Sequence, residues 1–498
     1  MNITLLQAVL IGLTYYIANT SFLGGQAYFT TWRPLVNGTL VGFILGDPQE
    51  GMRIGAAINM LYLGYMSVGG TLGIGDAALA GILGAAVGIA TGSAGIGILS
   101  GVALASLGYQ LLVLRMRGAN AIARRIDAAA ARGDVGRMQF LHIAVAQSWL
   151  CLLTVPTAAL LGWAAPTAAR ALLAIAPAPI MAGLAFGGAL TPLLGLGLAL
   201  KFVLAERTKL NLALFTAGAA ATALGAPFEF LAAVSAAAVL TAILRAPHSP
   251  VPTQNSELGT FLRWQFFSHS NYSFEKLQGS GLGCTLAPNL RGDVQMLQRH
   301  GGFFNTEVNF GAMIPAILLR MEQRGADPAD TIRTRQTLMS AIAGFGDEIV
   351  QGALLPALLS TAIGLALTAR IGLLAVGAYV IGVATLMFGI AWKCFRAGLQ
   401  NEKSAATWLL GHAQLRAAAT AARSVTALAV GALAAEVAHN APPQLNSATA
   451  AISAATITLG CYALLQHTRM RPLIPFLALV LLGMLLAFGN EPDLSRWW

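Results

Sequence analysis

Residues Ala77 to Leu114 read AALAGILGAAVGIATGSAGIGILSGVALASLGYQLLVL and contain no charged residue. A helix needs about 20 consecutive apolar residues to cross a bilayer, so a run of this length predicts two passes or a strongly bent pair of helices. Its apolar residues are continuous and do not alternate with polar ones, which disfavours the strands of a membrane barrel. The stretch therefore predicts a helical membrane protein.

The composition extends this prediction to the whole chain. Of the 498 residues, 56% are hydrophobic and 10% are charged, and the mean hydropathy is +0.68. The 55 glycines suit helices that pack closely in lipid, where small residues let backbones approach. We predict an all-α, polytopic membrane protein with broken or re-entrant helices, one of them at the glycine-rich break from Asn19 to Gln26. The apolar block from Ile3 is expected to be a retained membrane segment, because no basic residue precedes it.

The arginines indicate the orientation of the chain in the membrane. The formal net charge is +10, and arginines crowd two segments between apolar runs, Arg115 to Arg137 and Arg291 to Arg335. The positive-inside rule places both segments on the cytoplasmic side of the membrane. No nucleic-acid partner is expected, because a basic patch for that purpose is typical of a soluble module with exposed aromatics. Membrane lipid is the expected surrounding.

The four cysteines predict neither a metal site nor a disulfide framework. They are far apart in the sequence and lack the spacing of metal ligands, namely Cys151, Cys284, Cys394 and Cys461. No metal, no other cofactor and no catalytic residue is predicted.

The sequence RAPHSPVPTQNS from Arg245 to Ser256 divides the chain. Its three prolines among small and polar residues favour an extended connector that packs no core. We predict a membrane module over residues 1–244, a proline-rich linker over 245–258 and a second membrane module over 259–498.

Polar residues gather between Phe261 and Pro356. The sequence reads NYSFEKLQ at 271–278, RHGGFFNT at 299–306 and AGFGDE at 343–348. Polar residues at membrane depth are costly, so such a cluster in an apolar chain is a candidate functional site. The rival interpretation is a solvated cytoplasmic loop.

Local signals predict two helices in this polar region. Asp293 is placed to cap a short helix that ends at Arg299-His300 before Gly301. Asp327-Pro328 gives a cap and a first-turn proline to a second helix, which is expected to stop at Gly344.

These residues resemble those of a known family, the membrane subunits of the mannose-type sugar phosphotransferase system. The first module is similar to the C subunit in five motifs, Arg33-Pro34-Leu35, Gly42 with Leu45-Gly46-Asp47, Ile54-Gly55-Ala56, Leu63-Gly64 and Asp76-Ala77-Ala78-Leu79-Ala80. The second is similar to the D subunit in six, Phe274-Glu275, Gln278-Gly279, Arg299-His300, Phe303-Phe304-Asn305-Thr306, Met321-Glu322 and Ala343-Gly344 with Gly346-Asp347.

The resemblance implies a function. The C and D subunits together bind a hexose-type sugar in the membrane and move it inward, and a separate cytoplasmic A/B phosphocarrier component phosphorylates it. The chain would then be the permease part of a sugar phosphotransferase without a phosphohistidine of its own. A homo-oligomer, a trimer, is also implied. Two alternatives are a transporter on the same scaffold without coupling to phosphorylation and a sugar-binding membrane receptor.

Sugar hydroxyls donate and accept hydrogen bonds together, so carboxylates and amides are the expected ligands. Six residues are predicted to bind the substrate, Glu275, Gln278, Asn305 and Asp347 in the second module and Asn59 and Asp76 in the first. Structural alternatives are a helix N-terminal cap for Asp347, a turn for Asn305 and helix packing for Asn59.

The orientation can be tested at the linker. In a cysteine-free background, Ser249→Cys should react with a membrane-permeant maleimide in whole cells and resist an impermeant one until the membrane is opened. The reason is the cytoplasmic location that the arginine clusters predict. Labelling of intact cells by the impermeant reagent would contradict it.

Overall fold

The computed structural model describes residues 2–20, 26–64, 75–229, 233, 255–290, 293–368, 371–401, 403–439, 447–467 and 473–487. Those residues form helices and connecting turns, with no β-strand among them. Seven of their helices are long and apolar enough to cross a bilayer. The all-α, polytopic prediction is therefore confirmed. Most of the predicted linker (245–254) and most of the break after Asn19 (21–25) lie outside the described residues.

The described residues of the first half contain ten α-helices. They are α1 (Leu5–Asn19), α2 (Gln26–Phe29), α3 (Pro34–Leu45), α4 (Pro48–Leu61), α5 (Ala77–Thr91), α6 (Ala94–Ala130), α7 (Val135–Phe140), α8 (Ala146–Ile175), α9 (Ala178–Val203) and α10 (Thr208–Ala223). A π-helical turn, Leu141–Val145, joins α7 to α8.

The described residues of the second half contain eleven α-helices. They are α11 (Asn255–Phe267), α12 (Gly279–Leu286), α13 (Val294–His300), α14 (Met313–Gln323), α15 (Pro328–Ile349), α16 (Leu355–Thr368), α17 (Gly372–Asn401), α18 (Lys403–Leu410), α19 (Ala413–His439), α20 (Ser447–His467) and α21 (Leu473–Ala487). Helix α11 includes Asn255 to Leu258, the last four positions of the predicted linker.

The apolar run from Ala77 forms a tight helical pair. Gly92 ends α5 in the left-handed conformation (φ 72°), and the Ser93 hydroxyl caps α6 by accepting from the Ile96 N–H at 3.4 Å. A methyl group at Gly101 would lie 2.4 Å from the Ala80 carbonyl oxygen, so the two backbones touch. Small residues allow this contact.

Helix α6 continues through the arginine-rich segment. Its 37 residues make a rod of about 55 Å, well beyond the roughly 30 Å of a hydrocarbon core. The basic segment was expected to lie between two spans. As far as Ala130, it is instead the polar end of a membrane helix. This end contacts the second half of the chain.

The two predicted caps in the second half are confirmed. Asp293 accepts a hydrogen bond from the Met296 N–H at 2.9 Å, and Asp327 accepts one from the Asp330 N–H at 3.1 Å with Pro328 at the first helical position.

The predicted stop at Gly344 is wrong. Helix α15 runs to Ile349 and passes through a π turn, Val350–Leu354, into α16. Gly344 does not take the positive φ that a glycine stop uses. Pro356 has no backbone N–H to donate to the carbonyl one turn earlier, and the wider π turn accommodates the missing hydrogen bond. Asp347 therefore lies inside a continuous helix and caps nothing.

Helices of the two halves interlock. Helix α19 packs along α10, where a methyl group at Gly431 would lie 1.9 Å from the Phe215 carbonyl oxygen. Helix α21 likewise packs on α9, at Gly187 against Val480. The last described helices thus complete the packing of the first half.

The α10–α19 contact can be tested with a matched pair of glycines. Gly431→Ala should lower stability by about 1 to 3 kcal/mol, because the new methyl group overlaps backbone. Gly389→Ala on α17 meets nothing within 4 Å and should leave stability unchanged or raise it slightly. Thermal unfolding in detergent measures both. Equal midpoints for the two variants would contradict the interlocked arrangement.

Candidate functional site

A cavity of about 260 Å³ lies between the two halves of the chain. Its polar lining comes from both: Tyr15, Asn19, Thr20, Tyr28, Asp76, Arg115 and Thr154 from the first half, and His269, Tyr272, Gln278, Asn305, Thr306, Glu307, Asp347 and Gln351 from the second. Trp32, Phe29 and leucines of α6 and α8 form the apolar part of its wall. Four of the six predicted ligand residues share this cavity.

Asp76 anchors the wall formed by the first half. Its Oδ1 caps α5 by accepting from the Leu79 N–H at 3.1 Å, and its Oδ2 accepts from the Tyr15 hydroxyl at 2.6 Å. Gly108 on α6 leaves space for the Asp76 side chain, because a methyl group at position 108 would lie 2.2 Å from the Asp76 Cβ. The carboxylate is held in one orientation.

Arg115 lies two turns beyond Gly108 on the same face of α6. Its guanidinium donates no hydrogen bond to any described residue, and it lines the cavity. Sequence reasoning counted this arginine only as part of the cytoplasmic basic segment. It is a cation with donors to spare for a ligand.

Gln278 fixes the loop that forms the opposite wall. Its Oε1 accepts from the Thr306 N–H at 3.1 Å, and its Nε2 donates to the Thr306 carbonyl at 2.8 Å and to His269 Nε2 at 2.9 Å. Every hydrogen of the amide is therefore used within the protein. Gln278 positions its neighbours at the cavity.

His269 is neutral and carries its proton on Nδ1. Because Nε2 accepts from Gln278, Nδ1 is left to donate to the Ser268 hydroxyl at 3.1 Å. Burial, and then the nearby Arg115 charge, lower the pKa of His269 to about 4. Its ring stacks on Tyr272, with centroids 5.6 Å apart. Burial raises the pKa of Tyr272 to about 12, so its hydroxyl stays protonated.

Asn305 presents a free donor. Its Oδ1 accepts from the Tyr272 hydroxyl at 3.2 Å, while its amide nitrogen donates to no described residue. Asn305 therefore lies in the cavity wall, hydrogen-bonded to another lining residue.

Asp347 connects to the first half through a short chain of hydrogen bonds. Gln351 Nε2 donates to Asp347 Oδ1 at 2.6 Å, and the Tyr28 hydroxyl donates to Gln351 Oε1 at 3.1 Å. The other carboxylate oxygen, Oδ2, accepts from no described residue. Asp347 thus keeps acceptor capacity toward the cavity.

Glu307 is a site residue that sequence reasoning missed. Its buried carboxylate accepts from the backbone N–H groups of Asn309 and Phe310, at 3.0 and 2.7 Å, and from the Asn309 amide at 2.7 Å. Burial raises the pKa of Glu307 to about 7. The available signal was an acidic residue directly after the Asn305-Thr306 motif in an apolar chain.

Two predicted ligand residues lie outside the cavity. Glu275 is half-exposed and accepts from Arg124 at 2.8 Å. Asn59 is fully buried, and its Oδ1 accepts from the Leu35 N–H at 3.1 Å, as the helix-packing interpretation expects.

Residues 271–276 dock on the polar end of α6. Asn271 Nδ2 donates to the Ala119 carbonyl at 3.2 Å, and the Glu275 N–H donates to Asn120 Oδ1 at 3.2 Å. Lys276 pairs with Asp127, next to the Glu275–Arg124 pair. These contacts hold the loop of Tyr272 and Gln278 against the helix of Arg115.

The pKa of Glu307 predicts a pH dependence of stability. Because the folded value lies above the usual 4.5, the folded state retains this proton longer than the unfolded chain, and stability falls as pH rises from about 5 to about 8. Glu307→Gln should remove part of that fall in the unfolding midpoint. Glu275→Gln, at an exposed position, is the control. Identical pH profiles for wild type and Glu307→Gln would contradict the assignment.

Comparison with known proteins gives matches in both halves. A family model described as PTS system sorbose-specific iic component matches residues 5–244, and one described as PTS system mannose/fructose/sorbose family IID component matches residues 253–490. PTS denotes the phosphotransferase system. The resemblance predicted from the motifs is confirmed.

Two curated relatives come from Escherichia coli strain K12. The PTS system mannose-specific EIIC component is 35% identical over 144 residues, 29% of this chain and 53% of that protein. The PTS system mannose-specific EIID component is 30% identical over 129 residues, 23% of this chain and 45% of that protein. The chain thus matches about half the length of each.

A solved structure, titled CryoEM Structure of Mannose Transporter ManYZ and Microcin E492 (MceA) complex, is 21% identical. The alignment covers 49% of this chain and 100% of that chain, with a TM-score of 0.27.

Proposed function

We propose that this chain, which belongs to the mannose/fructose/sorbose family of phosphotransferase-system membrane components and has IIC and IID parts in one polypeptide, is the sugar permease component of a phosphoenolpyruvate-dependent phosphotransferase system. In this proposal it binds a hexose-type sugar in the cavity and moves it inward. A separate cytoplasmic A/B component then phosphorylates the sugar.

One observation carries the proposal: a single cavity takes polar groups from both halves of the chain. Drug-sized ligands occupy pockets of roughly 300 Å³ and more, so a cavity of about 260 Å³ suits a smaller molecule such as a monosaccharide. Donors and acceptors are mixed in its wall, as neighbouring sugar hydroxyls require. Neither half alone would enclose such a ligand.

The role of each side chain in sugar binding follows from the hydrogen bonds that it can still donate or accept. Asp347 accepts from sugar hydroxyls, while Arg115 and Asn305 donate to them. Asp76, whose two oxygens already accept from Tyr15 and Leu79, has lone pairs left for one further hydroxyl.

Two histidines outside the cavity, His142 and His300, have structural partners. His142 Nε2 donates to the Phe267 carbonyl at 2.7 Å, and His300 bonds the Glu322 carboxylate at 2.7 Å. Both side chains are buried, at 1% and 0% exposure, which supports a phosphoryl group carried by a separate component.

Location and assembly are part of the proposal. Family membership and the seven apolar helices support a multi-pass protein of the bacterial inner membrane. A homo-oligomer, a trimer, is proposed on the family resemblance.

Asp347→Asn tests the site. Loss of a charge-assisted hydrogen bond should raise the dissociation constant for mannose, fructose or sorbose about tenfold, with folding retained. Equilibrium binding to purified protein and uptake into vesicles measure the effect. The adjacent, exposed Glu348→Gln is the control, since Glu348 pairs with Arg423 away from the cavity. Wild-type affinity in Asp347→Asn would contradict the role of Asp347, and a wild-type chain that binds none of these sugars would contradict the function.

A further inference from the structure

Arg33 is a buried cation with no polar partner among the residues that the structure describes. Its side chain is 1% exposed, and it forms no hydrogen bond or ion pair with any described residue. It also occupies the cap position of α3, where the positive end of the helix dipole disfavours a cation. Burial of an uncompensated charge is costly, so something must offset it.

Two aromatic rings provide that offset. The Arg33 guanidinium lies 4.7 Å from the centroid of the Tyr28 ring and 5.3 Å from that of the Trp32 ring. The rings are themselves stacked, with centroids 5.0 Å apart and planes 27° from parallel. A cation on the face of an aromatic ring is attracted by the negative charge of that face. The planar guanidinium suits this stacking better than a lysine ammonium would.

Both rings line the cavity, whereas Arg33 does not. The guanidinium therefore packs on the protein side of the pair and fixes where the rings stand. Tyr28 is fixed at its other end too, because its hydroxyl donates to Gln351, which in turn donates to Asp347. The aromatic pair and the carboxylate are parts of one connected structure.

A pyranose ring has an apolar face of C–H groups besides its hydroxyls. Those hydrogens carry a partial positive charge and fit the negative face of an aromatic ring. Phe274, an aromatic residue of the family-like motif, is half-exposed outside the cavity, and Tyr272 already stacks on His269. Of the other aromatic residues in the wall, Tyr15 is hydrogen-bonded to Asp76, and Phe29 stands edge-on to Tyr28 with ring centroids 5.2 Å apart. The stacked rings of Tyr28 and Trp32 are therefore the flat aromatic surface of the wall.

We propose that Tyr28 and Trp32 are the platform for the C–H face of the sugar ring, and that Arg33 is a positioning residue that holds this platform from behind. The proposal rests on the proposed sugar permease function and adds a subsite to it. It explains why the chain retains a buried cation at a helix N-terminus.

The test uses the full-length, purified chain titrated with mannose, fructose and sorbose, followed by tryptophan fluorescence and by equilibrium binding. Wild type should show a sugar-dependent fluorescence change. Trp32→Phe should lose most of that change and keep the dissociation constant within a few-fold, because a ring remains. Trp32→Ala should raise the dissociation constant about tenfold. Trp163→Phe is the control, since Trp163 is exposed on α8 away from the cavity.

Arg33→Met separates positioning from folding. The burial cost of the charge and its attraction to the two rings oppose each other, so the substitution should leave the unfolding midpoint unchanged or higher, while the dissociation constant rises several-fold. A merely structural arginine would lower the midpoint and leave sugar affinity of the folded fraction intact.

Retention of the fluorescence change in Trp32→Phe, or wild-type affinity in Trp32→Ala, would overturn the platform while the permease function stands. Wild-type affinity in Arg33→Met would overturn the positioning role. A wild-type chain that binds none of the sugars would overturn the function and the platform together.

Discussion

The contact between α6 and residues 271–276 sets the spacing of the two cavity walls. The loop bonds the helix at Ala119 and Asn120, and ion pairs to Arg124 and Asp127 follow on the same helix. Exposed ion pairs of this kind contribute little free energy each, so the backbone and amide hydrogen bonds carry the geometry. Arg115 and Tyr272 approach each other because their elements meet here.

The interlocking of the helices explains why both halves are needed together. Gly218 and Gly431 sit where α10 and α19 touch backbone to backbone, and a side chain at either position would separate them. Each half therefore buries surface that it would otherwise expose to lipid or to water. Presence in one polypeptide raises the effective concentration of each half for the other, which favours this assembly.

Sequence reasoning found the features that depend on local chemistry. The caps at Asp293 and Asp327 and the apolar helices follow from short-range rules. Gln278, Asn305, Asp347 and Asp76 were selected by residue type and family motif, and they share one cavity. Arg115 was missed because its role depends on contacts between distant segments. The hydrogen bonds of Glu307 are local, but its burial depends on packing against Gly346 of a distant helix. The false stop at Gly344 arose because a glycine ends a helix only where the backbone turns left-handed.

The charges around the cavity favour an uncharged, hydroxyl-rich ligand. The Glu307 carboxylate accepts its hydrogen bonds from its own loop. His269 is neutral, and both amide hydrogens of Gln278 are already donated within the protein. Asp347, Asp76 and Arg115 are then the charged groups of the wall with capacity to spare, and they include both signs of charge. A neutral ligand with adjacent donors and acceptors can bond to groups of both signs, whereas an anion would be repelled by the two carboxylates and a cation by Arg115. A sugar that binds these groups must also bury its C–H face, and an aromatic ring provides a suitable apolar surface for it.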